Sequence, residues 1–318
     1  MSKNELRIFA GRSNIRLAEK IAKRVGTPLG KCEIRNFSDG ELWVKYYENI
    51  RGCDVFIIQS TNPPAENLLE LLIMIDAAKR ASARRVTAVV PYFGYGRQDR
   101  KDQPRVSITA KLVANLLTEA GADRIITMDL HAPQIQGFFD IPVDHLYSSA
   151  VYTSFFMKKN IRKLTVVSPD VGGIKMARAF AKRLHAELVL IDKRRPHPNK
   201  TEVMNIIGNA KDRNILIVDD LIDTGGTFCN AVEALRDAGA AEIFGACTHP
   251  LFSGNALKRI ITCELSKIYV TDSIHMPENK QAAQKIKVLS VAGLFGEAIL
   301  RAFKNESISS LFDVDKDK

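Results

Sequence analysis

The sequence has little of what holds small secreted or zinc-dependent folds together. Its five cysteines (Cys32, Cys53, Cys229, Cys247 and Cys263) are odd in number and include no Cys-x-x-Cys pair. This pattern argues against a disulfide framework and against a structural zinc site. The N-terminus lacks the apolar segment of a signal peptide, and no stretch approaches the roughly 20 apolar residues of a membrane span. These absences predict a cytoplasmic protein with reduced thiols and no membrane partner.

Markers of nucleic-acid recognition are equally scarce. The 318 residues include one tryptophan and 7% aromatic residues, with no RNP motif and no zinc-finger spacing. The net charge of +10 comes from scattered lysines and arginines, apart from two basic segments at 97–105 and 192–200. A basic protein of this size binds nucleic acid, anionic surfaces or phosphorylated small molecules. The missing motifs disfavour nucleic acid as the partner.

What the chain does contain is a regular alternation of short β-rich runs and amphipathic helical windows. Apolar runs separated by helices of this length favour parallel sheets covered on both faces, so we predict an α/β fold. The first helical window ends at Gly26. The predicted strands are 6–9, 54–60, 84–93, 164–168, 186–192, 214–219 and 241–248.

Two helices carry further predictions. Ser107 is expected to cap a helix whose core side carries Ile108, Leu112, Val113, Leu116 and Leu117. The helix within 66–81 has more apolar surface at 68–78 than one core face needs, which is consistent with an interface between subunits.

An internal similarity between two stretches of the sequence indicates two similar domains. EAGADRIITMDLH (119–131) and DAGAAEIFGACTH (237–249) each read as a helix end with Gly-Ala, then a strand, then histidine. The sequence therefore predicts two α/β domains, 1–146 and 147–318, each with a mostly parallel sheet flanked by helices.

The most informative stretch is ILIVDDLIDTGGTF (215–228). A strand here leads into the N-terminus of a helix, the usual ligand position in open α/β sheets. Backbone N–H groups at that N-terminus favour a phosphate, and glycines allow close approach. Carboxylates repel phosphate, so they should face sugar hydroxyls or a hydrated Mg²⁺ instead. A phosphorylated sugar fits, although an ordinary turn with Asp and Thr as helix caps remains the alternative. The residues are Asp219, Asp220, Asp223, Thr224, Gly225, Gly226 and Thr227.

This stretch resembles the phosphoribosyl-diphosphate-binding loop shared by type I phosphoribosyltransferases and ribose-phosphate pyrophosphokinases. Four further segments look like signature regions of the bacterial pyrophosphokinases, and the likeness runs over nearly the whole chain. They are RNFSDGELWVKY (35–46), YGRQDRKDQPR (95–105), MDLHAPQIQGFFDIPVDHLY (128–147) and IDKRRPHPN (191–199).

The resemblance implies phosphoribosyltransferase-like domains and an enzyme that transfers the diphosphoryl group of ATP to the C1 hydroxyl of ribose 5-phosphate. It places Phe37, Asp39 and Glu41 at the adenine, where an aromatic ring stacks on a base and carboxylates accept from an amine. Arg97 then pairs with phosphate, and Gln98 and Asp99 contact the nucleotide. A solvated charged loop is the alternative for this basic segment.

The remaining implied roles concern the metal and the sugar. His131 is placed on Mg²⁺ and the ATP phosphates, and Asp170 near the ribose hydroxyls and a metal, with capping of a helix as the alternative for Asp170. Lys193 and Arg195 belong to a mobile loop that closes over the reacting phosphates. The family also implies a homo-oligomer, a hexamer, with phosphate and ADP as effectors. Asn255 stands where the family commonly has proline, which leaves that regulation open.

Two alternatives stay open at this point. A phosphoribosyltransferase would share the 219–227 loop and consume phosphoribosyl diphosphate with a base, without ATP. A non-catalytic regulatory homologue should have lost some of the site residues, yet all of them are present in the sequence.

Overall fold

A computed structural model describes residues 5–194 and 203–311 and divides the chain into two compact units. The first unit comprises Met1–Tyr147, Ser273–His275 and Ser290–Lys318, and the second comprises Ser148–Asp272 and Met276–Leu289. The predicted boundary between 146 and 147 lies within one residue of this division. The assignment differs at the C-terminus, because the segment from 290 onward groups with the first unit and not the second.

The first unit is built on a five-stranded parallel sheet in the order β1-β4-β5-β6-β7. Strands β2 and β3 form a separate antiparallel hairpin whose inner face packs on the core of this unit. The elements are β1 (Leu6–Ala10), α1 (Ile15–Val25), β2 (Cys32–Asn36), β3 (Leu42–Tyr46), β4 (Asp54–Ile58), α2 (Glu66–Arg80), β5 (Arg85–Val90), α3 (Thr109–Glu119), β6 (Arg124–Met128) and β7 (Val143–Leu146).

Helix α1 shows how local sequence sets an element. Asn14 precedes it and accepts a hydrogen bond from the Leu17 N–H at 3.3 Å, which satisfies one of the unpaired donors of the first turn. Gly26 ends it in the left-handed conformation (φ 80°) and donates to the Ala22 carbonyl. Leu17, Ala18, Ile21 and Ala22 form its buried face, and the predicted end of the helix at Gly26 is confirmed.

Helix α3 corrects one prediction. It begins at Thr109 after Ile108, with no side-chain cap, and Ser107 pairs with the Thr109 hydroxyl instead of capping the helix. The buried face consists of Ala110, Val113, Ala114 and Leu117. The small alanines let the helix backbone approach the core closely, and this turns Ile108, Leu112 and Leu116 outward into solvent.

The second unit contains a seven-stranded sheet in the order β10-β9-β8-β11-β12-β13-β14. All neighbouring strands are parallel except β9 and β10, which pair antiparallel. The elements are α4 (Ser149–Lys159), β8 (Leu164–Ser168), α5 (Ile174–Arg183), β9 (Glu187–Arg194), β10 (Val203–Ile207), β11 (Asn214–Ile222), α6 (Gly226–Asp237), β12 (Glu242–Pro250), α7 (Ala256–Thr262), β13 (Lys267–Thr271), α8 (Ala282–Lys285) and β14 (Ile286–Leu289).

The internal similarity between 119–131 and 237–249 corresponds to equivalent structure in the two units. Helix α3 leads through Gly121 (φ 105°) into β6, and α6 leads through Gly239 (φ 83°) into β12. In each case the strand joins the sheet beside the strand that preceded its helix, β5 in the first unit and β11 in the second. The prediction of two similar α/β units is therefore confirmed.

The last helix, α9 (Ala292–Lys304), explains the grouping of the C-terminal segment. It packs on α1 so closely that a Cβ on Gly296 would lie 2.6 Å from Cγ of Arg24. At its C-terminal end, Arg85 donates to the Asn305 side chain at 2.9 Å and to the Ala302 carbonyl at 3.2 Å. Burial against α1 thus holds a segment that the linear order of the sequence had placed in the other domain.

Two general expectations can be compared with the described residues. All five cysteines are free thiols. Over 5–194 and 203–311, no helix combines the length and apolarity needed to cross a membrane.

Candidate active site

The predicted sugar-phosphate loop lies at the carboxyl end of β11. The strand continues through Asp219 and Asp220 to Ile222, three residues further than predicted, so these two carboxylates belong to the strand. The turn that follows reaches Gly225, which has φ 76°, and α6 begins at Gly226. Backbone N–H groups of the first turn of α6 are therefore presented beside a row of carboxylates.

Contacts from later in the chain hold this turn in shape. The Arg259 guanidinium on α7 donates to the Thr224 carbonyl at 3.2 Å. The backbone N–H of Ser253 donates to the Asp223 carbonyl at 2.9 Å. The sequence offered no signal for Arg259, because it is 35 positions away from Thr224 and only the packing of α7 against α6 brings them together.

Asp170 lies after β8, the strand next to β11 in the sheet. Its Oδ1 accepts a hydrogen bond from the Gly173 N–H at 2.9 Å, and Ser168 Oγ donates to its backbone carbonyl at 2.7 Å. A Cβ on Gly173 would lie 2.7 Å from Ser168 Oγ, so a side chain at this position would displace the Ser168 hydroxyl from the turn. Asp170 therefore closes the turn ahead of α5 but does not cap that helix, because the N-cap residue is Gly173 and no side chain caps it. The turn lies at the edge of the sheet that also carries Asp219.

Burial and like charges together disfavour the ionised carboxyl groups at this edge. Desolvation of its carboxyl group raises the pKa of Asp219 well above its usual range, and the charges of Asp220 and Asp170 raise it further. The neighbouring thiol of Cys247, which pairs with Asp219 across the sheet, also has a raised pKa because of its burial and of the two aspartates. A cation, or hydroxyl groups that donate hydrogen bonds, would relieve this crowding.

In the first unit, two predicted segments meet at the carboxyl ends of the adjacent strands β5 and β6. Asp99 accepts a hydrogen bond from the Gln134 side chain at 2.7 Å, just beyond His131. A Cβ on Gly96 would lie 3.8 Å from Cβ of His131. The strand itself ends at Met128, three residues before His131, and His131 is exposed in the loop that follows.

Gln98 and Arg97 occupy the loop after β5, where both are exposed. The Gln98 side chain accepts a hydrogen bond from the Thr109 hydroxyl at 2.6 Å, and its backbone carbonyl accepts from the Ala110 N–H at 3.1 Å. Gln98 therefore holds the loop to the N-terminus of α3, a role that the sequence did not indicate.

The predicted adenine residues lie at the tip of the β2–β3 hairpin. The Phe37 ring is 46% exposed, and Asp39 and Glu41 are exposed beside it. The tip is closed by hydrogen bonds from Phe37 N–H to the Glu41 carbonyl at 2.8 Å and from Glu41 N–H to Asp39 Oδ1 at 3.0 Å. An aromatic face and two carboxyl groups are thus offered to solvent on a short, ordered loop.

The predicted basic loop is described only in part. Strand β9 continues to Arg194 and pairs Lys193 with Met204 of β10, so the backbone of Lys193 belongs to a strand, whereas the resemblance implied a mobile loop there. Arg195 lies outside the described residues.

The predicted site residues thus fall into separate groups. The first unit carries the hairpin tip and the pair of loops after β5 and β6, and the second carries the carboxylates and the turn before α6. Among the residues that the structure describes, no three histidine, cysteine, aspartate or glutamate side chains are arranged to hold a metal ion by themselves.

Comparison with known proteins decides the family. Residues 6–121 match the family described as the N-terminal domain of ribose phosphate pyrophosphokinase, and residues 193–313 match the phosphoribosyl synthetase-associated domain. The chain is 61% identical to the ribose-phosphate pyrophosphokinase of Chlorobaculum tepidum, over 97% of this chain and 95% of that protein. The chain belongs to the ribose-phosphate pyrophosphokinase family.

Other members agree with this assignment. The chain is 54% identical to the ribose-phosphate pyrophosphokinase of Corynebacterium ammoniagenes, over 98% of each protein. The crystal structure of phosphoribosylpyrophosphate synthetase from Mycobacterium smegmatis superposes with a TM-score of 0.88 at 39% identity, covering 95% of this chain and all of that one. The chain is therefore an enzyme of the ribose-phosphate pyrophosphokinase family with its α/β fold.

Proposed function

We propose that this enzyme transfers the β,γ-diphosphoryl group of ATP to the C1 hydroxyl of ribose 5-phosphate and forms phosphoribosyl diphosphate and AMP. The observation that carries the proposal is the turn before α6, where free N–H groups and glycines adjoin a row of aspartates. The synthetase names of its relatives support the same reaction.

The second unit would bind ribose 5-phosphate. Its phosphate fits the N-terminus of α6, where the backbone of Gly225 and Gly226 and the hydroxyls of Thr224 and Thr227 supply donors. Asp219, Asp220 and Asp223 would accept hydrogen bonds from the ribose hydroxyls. The raised pKa of Asp219 supports this role, because hydroxyl donors stabilise the carboxylate that its neighbours destabilise.

The first unit would bind ATP. Phe37 would stack on the adenine while Asp39 and Glu41 accept from its exocyclic amine. Arg97 would pair with the phosphates, because a guanidinium binds phosphate oxygens in a bidentate manner. Asp99, Gln98 and His131 belong to the same pair of loops.

The chemical step would need charge neutralisation more than covalent catalysis. The C1 hydroxyl oxygen would form a bond to the β-phosphorus and release its proton to solvent, and the bond from that phosphorus to the oxygen that AMP keeps would break with its electron pair on that oxygen. Lys193 and Arg195 would stabilise the charge that develops on the phosphoryl group and on AMP. In comparable systems an arginine in this role contributes on the order of 10³-fold or more to kcat.

We propose Mg²⁺ as the cofactor, with His131 and Asp170 among the residues that contact it. The donor set fits, because the carboxylates of the second unit supply the oxygen ligands that Mg²⁺ prefers. When bound, Mg²⁺ would neutralise part of the charge on the ATP phosphates. Since no described trio of side chains is arranged to hold a metal, most of its remaining ligands would be water and phosphate oxygens.

We further propose that the chain forms a homo-oligomer, a hexamer as its family resemblance implies, and that phosphate and ADP act as effectors. Exposed apolar side chains on the neighbouring helices α2 and α3 support an interface, since Leu69, Leu112 and Leu116 are 49%, 52% and 39% exposed. Light scattering during size-exclusion chromatography would give the mass. Leu112→Glu should reduce it, whereas an unchanged mass would remove this surface from the interface.

The reaction is tested by product identification. The purified protein is incubated with ATP, ribose 5-phosphate and Mg²⁺, with and without added phosphate, and AMP and phosphoribosyl diphosphate are quantified. Equal amounts of both products are expected. Absence of both products from folded protein, followed by consumption of phosphoribosyl diphosphate in the presence of a purine or pyrimidine base, would instead identify a phosphoribosyltransferase.

A further inference from the structure

A buried carboxylate in the first unit lies at the start of a chain of hydrogen bonds. Glu70 on α2 is 1% exposed. Its Oε1 accepts hydrogen bonds from the Arg12 backbone N–H at 2.6 Å and from Gln59 Nε2 at 2.9 Å, and its Oε2 accepts from Arg12 Nε at 2.5 Å. A buried charge with this many donors is well compensated. The Arg12 guanidinium is therefore held at its Nε side.

The other side of the same guanidinium reaches the hairpin. Arg12 Nη1 donates to Asn36 Oδ1 at 2.9 Å, and Asn36 Nδ2 donates to the Gly40 carbonyl at 2.9 Å. Asn36 is the last residue of β2 and directly precedes Phe37. Gly40 lies in the tip itself and donates to the Phe37 carbonyl at 3.0 Å. A continuous path thus runs from the buried Glu70 through Arg12 and Asn36 to the tip.

The backbone around Arg12 has little freedom to move. A Cβ on Gly11 would lie 2.3 Å from Gln59 Oε1 and 2.8 Å from Glu70 Oε1, so the chain passes in contact with the buried polar groups. Gln59 Oε1 also accepts from the Ser13 N–H at 3.0 Å and from the Ser13 hydroxyl at 2.6 Å. Because these contacts fix the position of Arg12, its hydrogen bond to Asn36 ties the end of β2 to the core of the unit.

Only arginine can make both connections. Its Nε and Nη1 lie on one planar group and donate in fixed directions, here to a carboxylate and to an amide oxygen. A lysine at this position would carry a single ammonium group, which can keep the ion pair with Glu70 but cannot also reach Asn36 with the same geometry. Arg12→Lys therefore separates the structural ion pair from the link to the tip.

We propose that Arg12, anchored by Glu70, is a positioning residue that holds the 37–41 loop in the conformation that receives the adenine of ATP. This inference rests on the proposed function, in which Phe37, Asp39 and Glu41 bind the base. An exposed tip that is ordered before binding loses less conformational entropy when the nucleotide arrives. The link should therefore affect ATP affinity and leave the binding of ribose 5-phosphate unchanged.

The single tryptophan of the chain provides the measurement. Trp43 lies on β3, and the Arg35 guanidinium is 4.5 Å from its ring and 5.6 Å from the ring of Phe37. Fluorescence of the intact protein therefore reports on the hairpin alone. ATP is titrated into the protein in the absence of ribose 5-phosphate, with calorimetry as an independent readout, and steady-state kinetics give kcat and both KM values.

Arg12→Lys should raise the dissociation constant for ATP about tenfold, the effect of one lost charge-assisted hydrogen bond. Trp43 should become more accessible to acrylamide without ligand. KM for ribose 5-phosphate and kcat at saturating ATP should change by less than about twofold, as expected for loss of binding to one substrate only. Combining Arg12→Lys with Asn36→Ala should weaken ATP binding no further than either change alone, because both break the same link.

The matched control is Arg301→Lys. Arg301 has the same arrangement in the same unit, with Nε donating to Glu297 at 2.9 Å and Nη1 to the Ser307 carbonyl at 2.9 Å. Arg301→Lys should leave ATP binding unchanged. If Arg12→Lys left the ATP dissociation constant at the wild-type value, or changed both KM values in the same proportion, the positioning role would be overturned while the proposed reaction stood. If the wild-type protein bound no ATP, the proposed function would fail and the inference with it.

Discussion

Two carboxyl groups in this molecule meet opposite surroundings. Glu70 in the first unit is buried and receives hydrogen bonds from an arginine, a backbone amide and a glutamine. Asp219 in the second unit lies at the end of a buried strand, and the charges that raise its pKa are those of two other aspartates. The first group is stabilised by the protein, whereas the second is destabilised by it.

This difference distinguishes a carboxyl group with a structural role from one whose charge a ligand would compensate. A charge that the fold itself compensates contributes to stability and to the geometry of whatever it contacts. A charge crowded by like charges lowers stability, and it persists where a ligand compensates it. The pairing at Glu70 therefore indicates an anchor, and the proposed binding of sugar hydroxyls and a cation would relieve the crowding at Asp219.

The largest effect is expected from Glu70→Ala. The change leaves a cavity and removes the acceptor for three donors, so the free energy of unfolding should fall by about 2–4 kcal/mol. Urea denaturation followed by Trp43 fluorescence monitors the unit concerned. Glu297→Ala, which breaks a partly exposed ion pair with Arg301 in the same unit, should cost at most about 1 kcal/mol. Equal losses in the two variants would contradict the view of Glu70 as an anchor.

Asp223→Ala should selectively weaken the binding of ribose 5-phosphate. Loss of hydrogen bonds from sugar hydroxyls to a charged acceptor should raise KM for ribose 5-phosphate about 10- to 100-fold and leave KM for ATP nearly unchanged. Asp237→Ala, at the opposite end of α6, serves as the control and should have no effect on either KM. A normal KM for the sugar in Asp223→Ala would remove this carboxylate from the site.

Two glycines extend the comparison to the backbone. Gly11→Ala should destabilise the protein by about 1–3 kcal/mol, because the new Cβ overlaps the Gln59 side chain and forces the anchor apart. Gly225→Ala has space for its Cβ, since Ala256 is 3.6 Å away, but its φ of 76° should cost about 1 kcal/mol. Thermal denaturation of both variants tests which of them is less stable. A larger loss of stability for Gly225→Ala than for Gly11→Ala would contradict this prediction.

The smallest effect is expected from Asp219→Asn in the ligand-free protein, and it has the opposite sign. The pKa of Asp219 is higher in the folded than in the unfolded chain, so the folded state binds this proton more tightly. The free energy of unfolding should then fall as pH rises from the ordinary aspartate range toward the raised pKa. Asparagine removes that loss, so the variant should melt slightly higher at neutral pH while binding ribose 5-phosphate less well.

The melting temperatures of wild type and Asp219→Asn are compared across this pH range. The difference should vanish at acid pH, where both side chains are neutral. A wild-type protein that melts above the variant at neutral pH would show that Asp219 is stabilised and not crowded.

Much of the fold was predictable because its patterns are local. The α/β class and the two similar units followed from apolar runs and helical windows, and the buried residues Phe228, Val232 and Leu235 of α6 recur at helical spacing. The position of the 219–227 segment at a strand end followed from the same reasoning. The roles of the residues there, and of Lys193 and Arg195, remain predictions.

Errors arose where neighbours decided the outcome. Ile108 and, on α3, Leu112 and Leu116 were expected inside and are exposed, because Ala110 and Ala114 are on the face of the helix that is buried. Strand β11 runs past its apolar residues through Asp219 and Asp220, because pairing with β12 continues beyond them. In both cases the spacing of apolar residues could not show which residues are buried or where the strand ends.

The sequence by itself determined the alternation of strands and helices and the 219–227 motif to which we assign a phosphorylated sugar, because each depends on residues close together in the chain. The tertiary structure alone decided which charges are compensated. Glu70 meets Arg12 across 58 positions, and Asp219 meets Asp170 from a neighbouring strand. Coulombic and hydrogen-bond energies depend on distance in space, so only the packed fold made one carboxyl group an anchor and left the other crowded by like charges.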